Sequence, residues 1–171
     1  MTEKGTVERR LKAYKNMKEL MTVYYINAKT AEQNNRKVAW LTSGAPVEIL
    51  HAMDVIPIYP ENHAAMCGVQ KMGVELQQAA EEKGFSMDLC SYARTDIGSI
   101  YSGKSPVLGL PRPDFLLACN NICTTVVKWY EVVSRIHDSP VFVIDMPFLK
   151  DGLQDHIVGY VAGQMKEFIG L

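Results

Sequence analysis

Asp114-Phe-Leu-Leu-Ala-Cys-Asn-Asn-Ile-Cys-Thr-Thr-Val-Val-Lys-Trp-Tyr130 reads as a strand that feeds a helix. Asp114–Ala118 is a short run, apolar after its first residue, suited to a strand buried on both faces. The pattern predicts a helix over residues 121–137, with Cys123 near its start. Asn120 or Asn121 is placed to cap it by accepting a free backbone N–H.

The same strand-to-helix pattern recurs to either side. Lys37–Ser43 is a first apolar strand. Ser43-Gly44-Ala45-Pro46 turns into a helix that runs to about Met53, with Pro46 suited to its first position. Val55–Tyr59 is a second strand, ended by Pro60-Glu61-Asn62. A short helix and a longer amphipathic one follow, closing near Gly84 as C-cap. Residues 88–101 form another helix, again with a cysteine, Cys90, near its start and Asp88 as its expected cap. Ser102–Pro113 holds three prolines and two glycines and is a loop. Val141–Met146 is a fourth strand, stopped by Pro147, and residues 149–171 form a last helix.

Apolar strands alternating with helices define an α/β fold with a parallel four-stranded sheet covered on both faces. In such sheets, ligands bind beyond the carboxyl ends of the strands. Ser43 follows strand one, Glu61 strand two and Cys119 to Cys123 strand three, while Asp145 ends strand four. One rim therefore gathers a hydroxyl, two carboxylates and at least one thiol. A helix N-terminus carries a partial positive charge that favours thiolate, the metal-binding form of cysteine, over thiol.

Residues 1–36 form a separate helical segment before an α/β domain over 37–171. Val7, Leu11, Tyr14, Met17, Met21, Tyr24 and Ala28 recur at three- and four-residue steps along a long helix spanning about 6–34. Such a stripe is a packing surface for a sheet or a partner subunit.

With 171 residues, of which 47% are hydrophobic, the chain can bury a full core. Its net charge of −1 and lack of a basic run argue against nucleic acid or an anionic membrane as partner. No apolar run approaches the ~18–20 residues of a membrane helix, and Met-Thr-Glu-Lys-Gly-Thr-Val-Glu-Arg-Arg lacks the apolar region of a signal peptide. The expected location is cytoplasmic, where the four cysteines stay reduced and serve burial, metal binding or catalysis rather than disulfides.

Gly98-Ser-Ile-Tyr-Ser-Gly-Lys-Ser105 matches the phosphate-loop pattern letter for letter. That loop works only between a strand and a helix whose N-terminus points at the phosphates. Here the preceding residues read as helical, and Pro106, Pro111 and Pro113 prevent a helix from opening. The expectation is a helix end with an exposed loop and no nucleotide.

Trp-Leu-Thr-Ser-Gly-Ala-Pro-Val-Glu-Ile-Leu50, Tyr-Pro-Glu-Asn-His-Ala-Ala-Met-Cys-Gly68, Cys-Ser-Tyr-Ala-Arg-Thr-Asp-Ile-Gly98 and Asn-Asn-Ile-Cys-Thr-Thr-Val-Val-Lys-Trp-Tyr-Glu131 resemble the benzoyl-CoA reductase/2-hydroxyacyl-CoA dehydratase family. The likeness is nearest to the B subunit of the benzoyl-CoA reductases and runs from about Val38 to Met146. It implies one half of a two-domain fold of Rossmann/flavodoxin-like units, with a [4Fe–4S] cluster in the cleft between them. It also implies a homologous partner subunit in a heterodimer, a separate ATP-hydrolysing iron–sulfur activator, a CoA-thioester substrate and anaerobic, low-potential radical chemistry.

By the same resemblance, Cys90 and Cys123 take the cluster-ligand positions, and Ser43 and Glu61 those that touch the substrate. The family's second domain supplies a third ligand cysteine and has no counterpart in these residues, so further ligands are expected from elsewhere. Cys67, in Ala-Met-Cys-Gly, is a further metal candidate, because iron–sulfur sites can recruit a nearby thiolate. Cys119 reads as a buried small hydrophobe. The histidines 51, 63, 137 and 156 lack metal-ligand spacing and read as surface or satisfied core residues. Trp40 and Trp129 read as core. Arg94, Lys104 and Arg112 are cations that could meet CoA phosphates, with solvated surface the plainer reading. The first functional expectation is the iron–sulfur subunit of an aromatic acyl-CoA reductase, such as one acting on benzoyl-CoA. The alternatives are a 2-hydroxyacyl-CoA dehydratase subunit, or a non-catalytic electron-transfer relative, double-cubane protein or remnant.

Overall fold

A computed structural model of the chain describes residues 3–150 and 152–170, with side chains from residue 12 onward. The elements run α1 (Glu3–Lys29), β1 (Val38–Leu41), α2 (Val47–Ala52), β2 (Ile56–Ile58), α3 (Pro60–Val69), α4 (Gly73–Glu81), α5 (Ser91–Ser102), β3 (Phe115–Cys119), α6 (Thr124–His137), β4 (Val141–Ile144) and α7 (Asp155–Gly170). The four strands pair in the order β2-β1-β3-β4, and every pairing is parallel. This is the α/β fold expected from the alternation of apolar runs and helices.

Alternate strand residues face opposite layers because side chains in a strand repeat every two residues. Val38, Trp40, Leu116 and Ala118 point to one layer with Ala93, Ile97, Val126, Tyr130 and Val133 of α5 and α6. Ala39, Leu41, Leu117 and Cys119 point to the other, with Leu50 of α2 and Phe168 of α7. Each fully buried leucine or isoleucine stabilises the fold by roughly 1.5–3 kcal/mol, so both layers are held by their own apolar contacts. Trp40 sits fully inside, and its Nε1–H donates to Pro111 O at 3.0 Å.

Several local expectations need correction. The α5 and α6 helices start three residues later than the patterns predicted, and no side chain caps either of them. Asp88 lies in a turn in which its N–H donates to Ser86 Oγ. Asn120 is held by Asp145 and accepts the Met146 N–H at 2.7 Å, so it ties the ends of β3 and β4 instead of capping α6. Pro46 precedes the first helical position of α2 and serves as its N-cap residue. Gly84 lies beyond the C-cap residue Glu82 of α4, at φ +92, where its N–H closes a turn to Glu81 O. The last helix begins at Asp155, six residues after Leu149.

Among its described side chains, the long amphipathic stripe packs over the last turns. Ala28 is buried and Tyr24 half-buried, its hydroxyl donating to Pro57 O at 2.8 Å. Tyr14, Met17 and Met21 stay exposed, and Val7 and Leu11 lie outside the described side chains. The α1 helix ends at Lys29, followed by a 3-10 turn over Glu32–Asn34 and Asn35 at φ 53. Among the described residues, no helix is long and apolar enough to cross a membrane.

Candidate functional site

The strand order places β1 and β3 side by side, while their following helices leave for opposite layers. This is the switch point at which open α/β sheets bind ligands. Thr42 seams the two strand ends: its N–H donates to Leu117 O, and its buried Oγ1 accepts the Cys119 N–H at 3.1 Å. Beyond that seam the Ser43-Gly44 turn lies against residues 121 and 122. A Cβ on Gly44 would stand 3.0 Å from Asn121 Oδ1 and 3.3 Å from the Ile122 side chain, so a bare backbone lets the two loops approach.

A cavity of about 260 Å³ opens here, lined by Ser43, Glu61, Asn62, Ala65, Cys90, Tyr92, Cys123, Thr125, Val126 and Trp129. Ser43, Glu61, Cys90 and Cys123, distant in sequence, thus share one space. Cys90 and Cys123 are the N-cap residues of α5 and α6, and both are exposed. Glu61 lies in the first turn of α3, and its Oε2 accepts the Ser43 backbone N–H at 2.7 Å. The carboxylate therefore fixes the turn that carries the hydroxyl.

The other two cysteines lie elsewhere. Cys67 is fully buried on α3, and burial together with the charge of Asp96 pushes its thiol up to about 11. Cys119 is buried at the end of β3, and burial pushes its thiol up to about 11 as well. Both are neutral at ordinary pH, and neither lines the cavity. Asp145 does not line it either: it binds Asn120, and accepts the Tyr160 hydroxyl at 2.7 Å. Among the described residues, no three His, Cys, Asp or Glu side chains cluster as a self-sufficient metal site.

The phosphate-loop pattern falls on the end of α5 and the loop beyond it, with Gly103 at φ +70 as the C-cap residue. No helix opens after Ser105, and Lys104 pairs with Glu75. Arg94 pairs with Glu81, and Arg112 donates to the carbonyls of His137 and Asp138.

Sequence reasoning missed a polar cluster behind the cavity. Asp96 on α5 is wholly buried; its Oδ2 accepts the Trp129 Nε1–H at 3.0 Å, and its Oδ1 lies 3.4 Å from His63 Nδ1. His63 Nε2 meets Ser105 Oγ at 2.8 Å. Burial pushes the Asp96 carboxyl above its usual range, while His63 and Trp129 pull it back. The signal was present in the sequence: Ala93, Asp96, Ile97 and Ile100 share the helix face that packs inward, so the carboxylate falls on an apolar stripe.

Residues 42–171 match the family model described as 2-hydroxyglutaryl-CoA dehydratase, D-component. The chain is 43% identical over 152 residues to the (R)-2-hydroxyisocaproyl-CoA dehydratase alpha subunit of Clostridioides difficile, covering 88% of this chain and 37% of that one. It is 35% identical over 171 residues to the (R)-phenyllactyl-CoA dehydratase alpha subunit of Clostridium sporogenes, covering 99% and 42%. Identity to the B subunit of the benzoyl-CoA reductase of Thauera aromatica is lower, 29% over 141 residues, covering 81% and 33%. The dehydratase subunits are thus the better match, although the sequence motifs had put the reductase first. The chain spans less than half the length of each of these relatives. With a parallel α/β fold and a family match across three quarters of its length, the chain belongs to the benzoyl-CoA reductase/2-hydroxyacyl-CoA dehydratase family.

Proposed function

We propose that this chain supplies the cluster-binding and substrate-facing part of a 2-hydroxyacyl-CoA dehydratase subunit. One observation carries the reading: a single cavity is lined by Ser43, Glu61, Cys90 and Cys123. Its support from relatives is the 43% and 35% identity to subunits named as dehydratase alpha subunits.

The donor set fits part of a [4Fe–4S] cluster. Two exposed thiols border one cavity, so Cys90 and Cys123 would hold two corners. The remaining ligands would come from a second α/β domain or a homologous partner subunit. When bound, the cluster supplies low-potential electrons, delivered by an ATP-hydrolysing iron–sulfur activator, to a CoA thioester.

The chain's own residues do the rest. The Ser43 hydroxyl donates a hydrogen bond to the thioester oxygen as negative charge develops there. Glu61 has one oxygen bound to the Ser43 N–H, which leaves the other to move a proton to or from the substrate. Ala65, Tyr92, Val126 and Trp129 give the cavity apolar walls that exclude water from the reacting group. A reductase acting on benzoyl-CoA is the second reading, favoured by the match to the Thauera protein.

The test assembles the chain anaerobically with its homologous subunit, the activator and ATP. The expected result is elimination of water from an (R)-2-hydroxyacyl-CoA, reduced about 10²- to 10³-fold by Ser43→Ala and about 10²- to 10⁴-fold by Glu61→Gln. Turnover of benzoyl-CoA alone would move the assignment to the reductase. An iron-loaded complex inert to both thioesters would leave a non-catalytic electron carrier.

A further inference from the structure

Cys90 and Asp96 are six residues apart on one helix; Cys123 and Trp129 are six residues apart on another. In each pair the first residue is the N-cap and the second lies on the buried side. Six residues of α-helix span about 9 Å along the axis. Trp129 Nε1–H donates to Asp96 Oδ2 at 3.0 Å, so a hydrogen bond joins α5 and α6 at equal distances below their cysteines. That bond ties the two helices to each other six residues below their N-cap cysteines, and both cysteines line the one cavity.

The same carboxylate reaches a third element. Its Oδ1 lies 3.4 Å from His63 Nδ1, and His63 is two residues after Glu61 on α3. Neither atom makes a hydrogen bond, to the other or elsewhere, so the two meet as a buried carboxyl–imidazole contact. An uncompensated buried polar group is costly, and at 3.4 Å the nearest counterpart of each atom is the other. Asp96 thereby connects the three helices that deliver Glu61, Cys90 and Cys123 to the cavity, and Trp129 forms the wall between clamp and cavity.

We propose that Asp96 is a positioning residue: through Trp129 and His63 it sets the spacing between the Cys90 and Cys123 thiols. The proposal rests on reading the cavity as the cluster's seat, but its test needs no iron. Dibromobimane, which fluoresces once both of its arms have alkylated thiols, is reacted with the folded, metal-free chain, and the bridged peptides are mapped. Monobromobimane measures the reactivity of each thiol separately, and thermal unfolding measures stability.

The wild type is expected to bridge Cys90 to Cys123. Asp96→Asn keeps an acceptor for the indole and retains bridging within about twofold, whereas Asp96→Leu and Trp129→Phe lower its rate about tenfold with single-thiol labelling unchanged. Ile97→Ala, buried on the same helix, lowers the melting temperature without touching the clamp and leaves bridging intact. The proposal is overturned if the wild type forms no bridge, if Trp129→Phe bridges as fast as the wild type, or if Ile97→Ala loses as much bridging as the clamp variants. Should Asp96→Leu not fold, Trp129→Phe decides alone. A wild type that bridges but takes up no iron with its partners would refute the cluster reading and leave the clamp standing.

Discussion

Gly98 of α5 packs directly against the backbone of α4, and replacing it with alanine probes how tightly the cysteine-bearing helix is seated. A Cβ at Gly98 would stand 1.7 Å from Leu76 O and 2.6 Å from Leu76 C on α4. Ordinary contact begins at 3.4 Å, so α5 must retreat from α4 by about 1.7 Å. The obstacle is backbone rather than the tip of a flexible side chain, which places the cost at the upper end of the overpacking range, about 3 kcal/mol. Alanine recovers about 1 kcal/mol of helix propensity over glycine. The net expectation is a loss of about 2 kcal/mol, or a fall in Tm of about 4–8 °C for a chain of this size. Urea and thermal unfolding followed by circular dichroism measure it. Gly163→Ala is the control: it lies within α7, and a Cβ added there meets nothing within 4 Å, so it should gain up to about 1 kcal/mol. If Gly98→Ala is as benign as Gly163→Ala, the close packing of α4 on α5 is wrong, and so is the seat inferred for Cys90.

Three further outcomes follow from the same geometry. Burial lowers the proton affinity of His137 from its ordinary 6.5, so the unfolded chain binds this proton more readily than the folded one. The stability linked to His137 is full above pH 6.5 and is lost as the pH falls through the depressed folded value. His137→Phe should flatten that part of the urea-midpoint profile, and an unchanged slope would contradict it. In native alkylation, Cys90 and Cys123 should label first, while the buried Cys67 and Cys119 should label only as urea unfolds the chain; early labelling of Cys67 would sink this ordering. ATP should not bind saturably at residues 98–105, because Lys104 is paired with Glu75 and no helix follows. Micromolar binding abolished by Lys104→Ala would show otherwise.

The sheet was legible because its strands are unbroken apolar runs: Val38–Leu41 and Phe115–Cys119 lie within a residue or two of their expected ends. The rim could be read from the positions of Ser43, Glu61 and Cys123 just past strand ends. The helix starts were not, because cap preferences describe average sequences. Here Asn120 is committed to Asp145 and Met146, and each cysteine occupies the N-cap itself. The inward carboxylate of Asp96 was overlooked because its partners lie on two other helices, at Trp129 and His63. Periodicity also described the stripe of α1 without revealing what covers it, and Tyr14 and Met17 remain exposed.

On the proposed reading, Cys90 and Cys123, and no other cysteines of this chain, hold iron at the rim of the sheet. The direct measurement is iron per complex after anaerobic reconstitution with the homologous subunit, comparing the four single Cys→Ser variants. Cys90→Ser and Cys123→Ser are expected to lose iron while Cys67→Ser and Cys119→Ser retain it. Full iron in both Cys90→Ser and Cys123→Ser would contradict the reading.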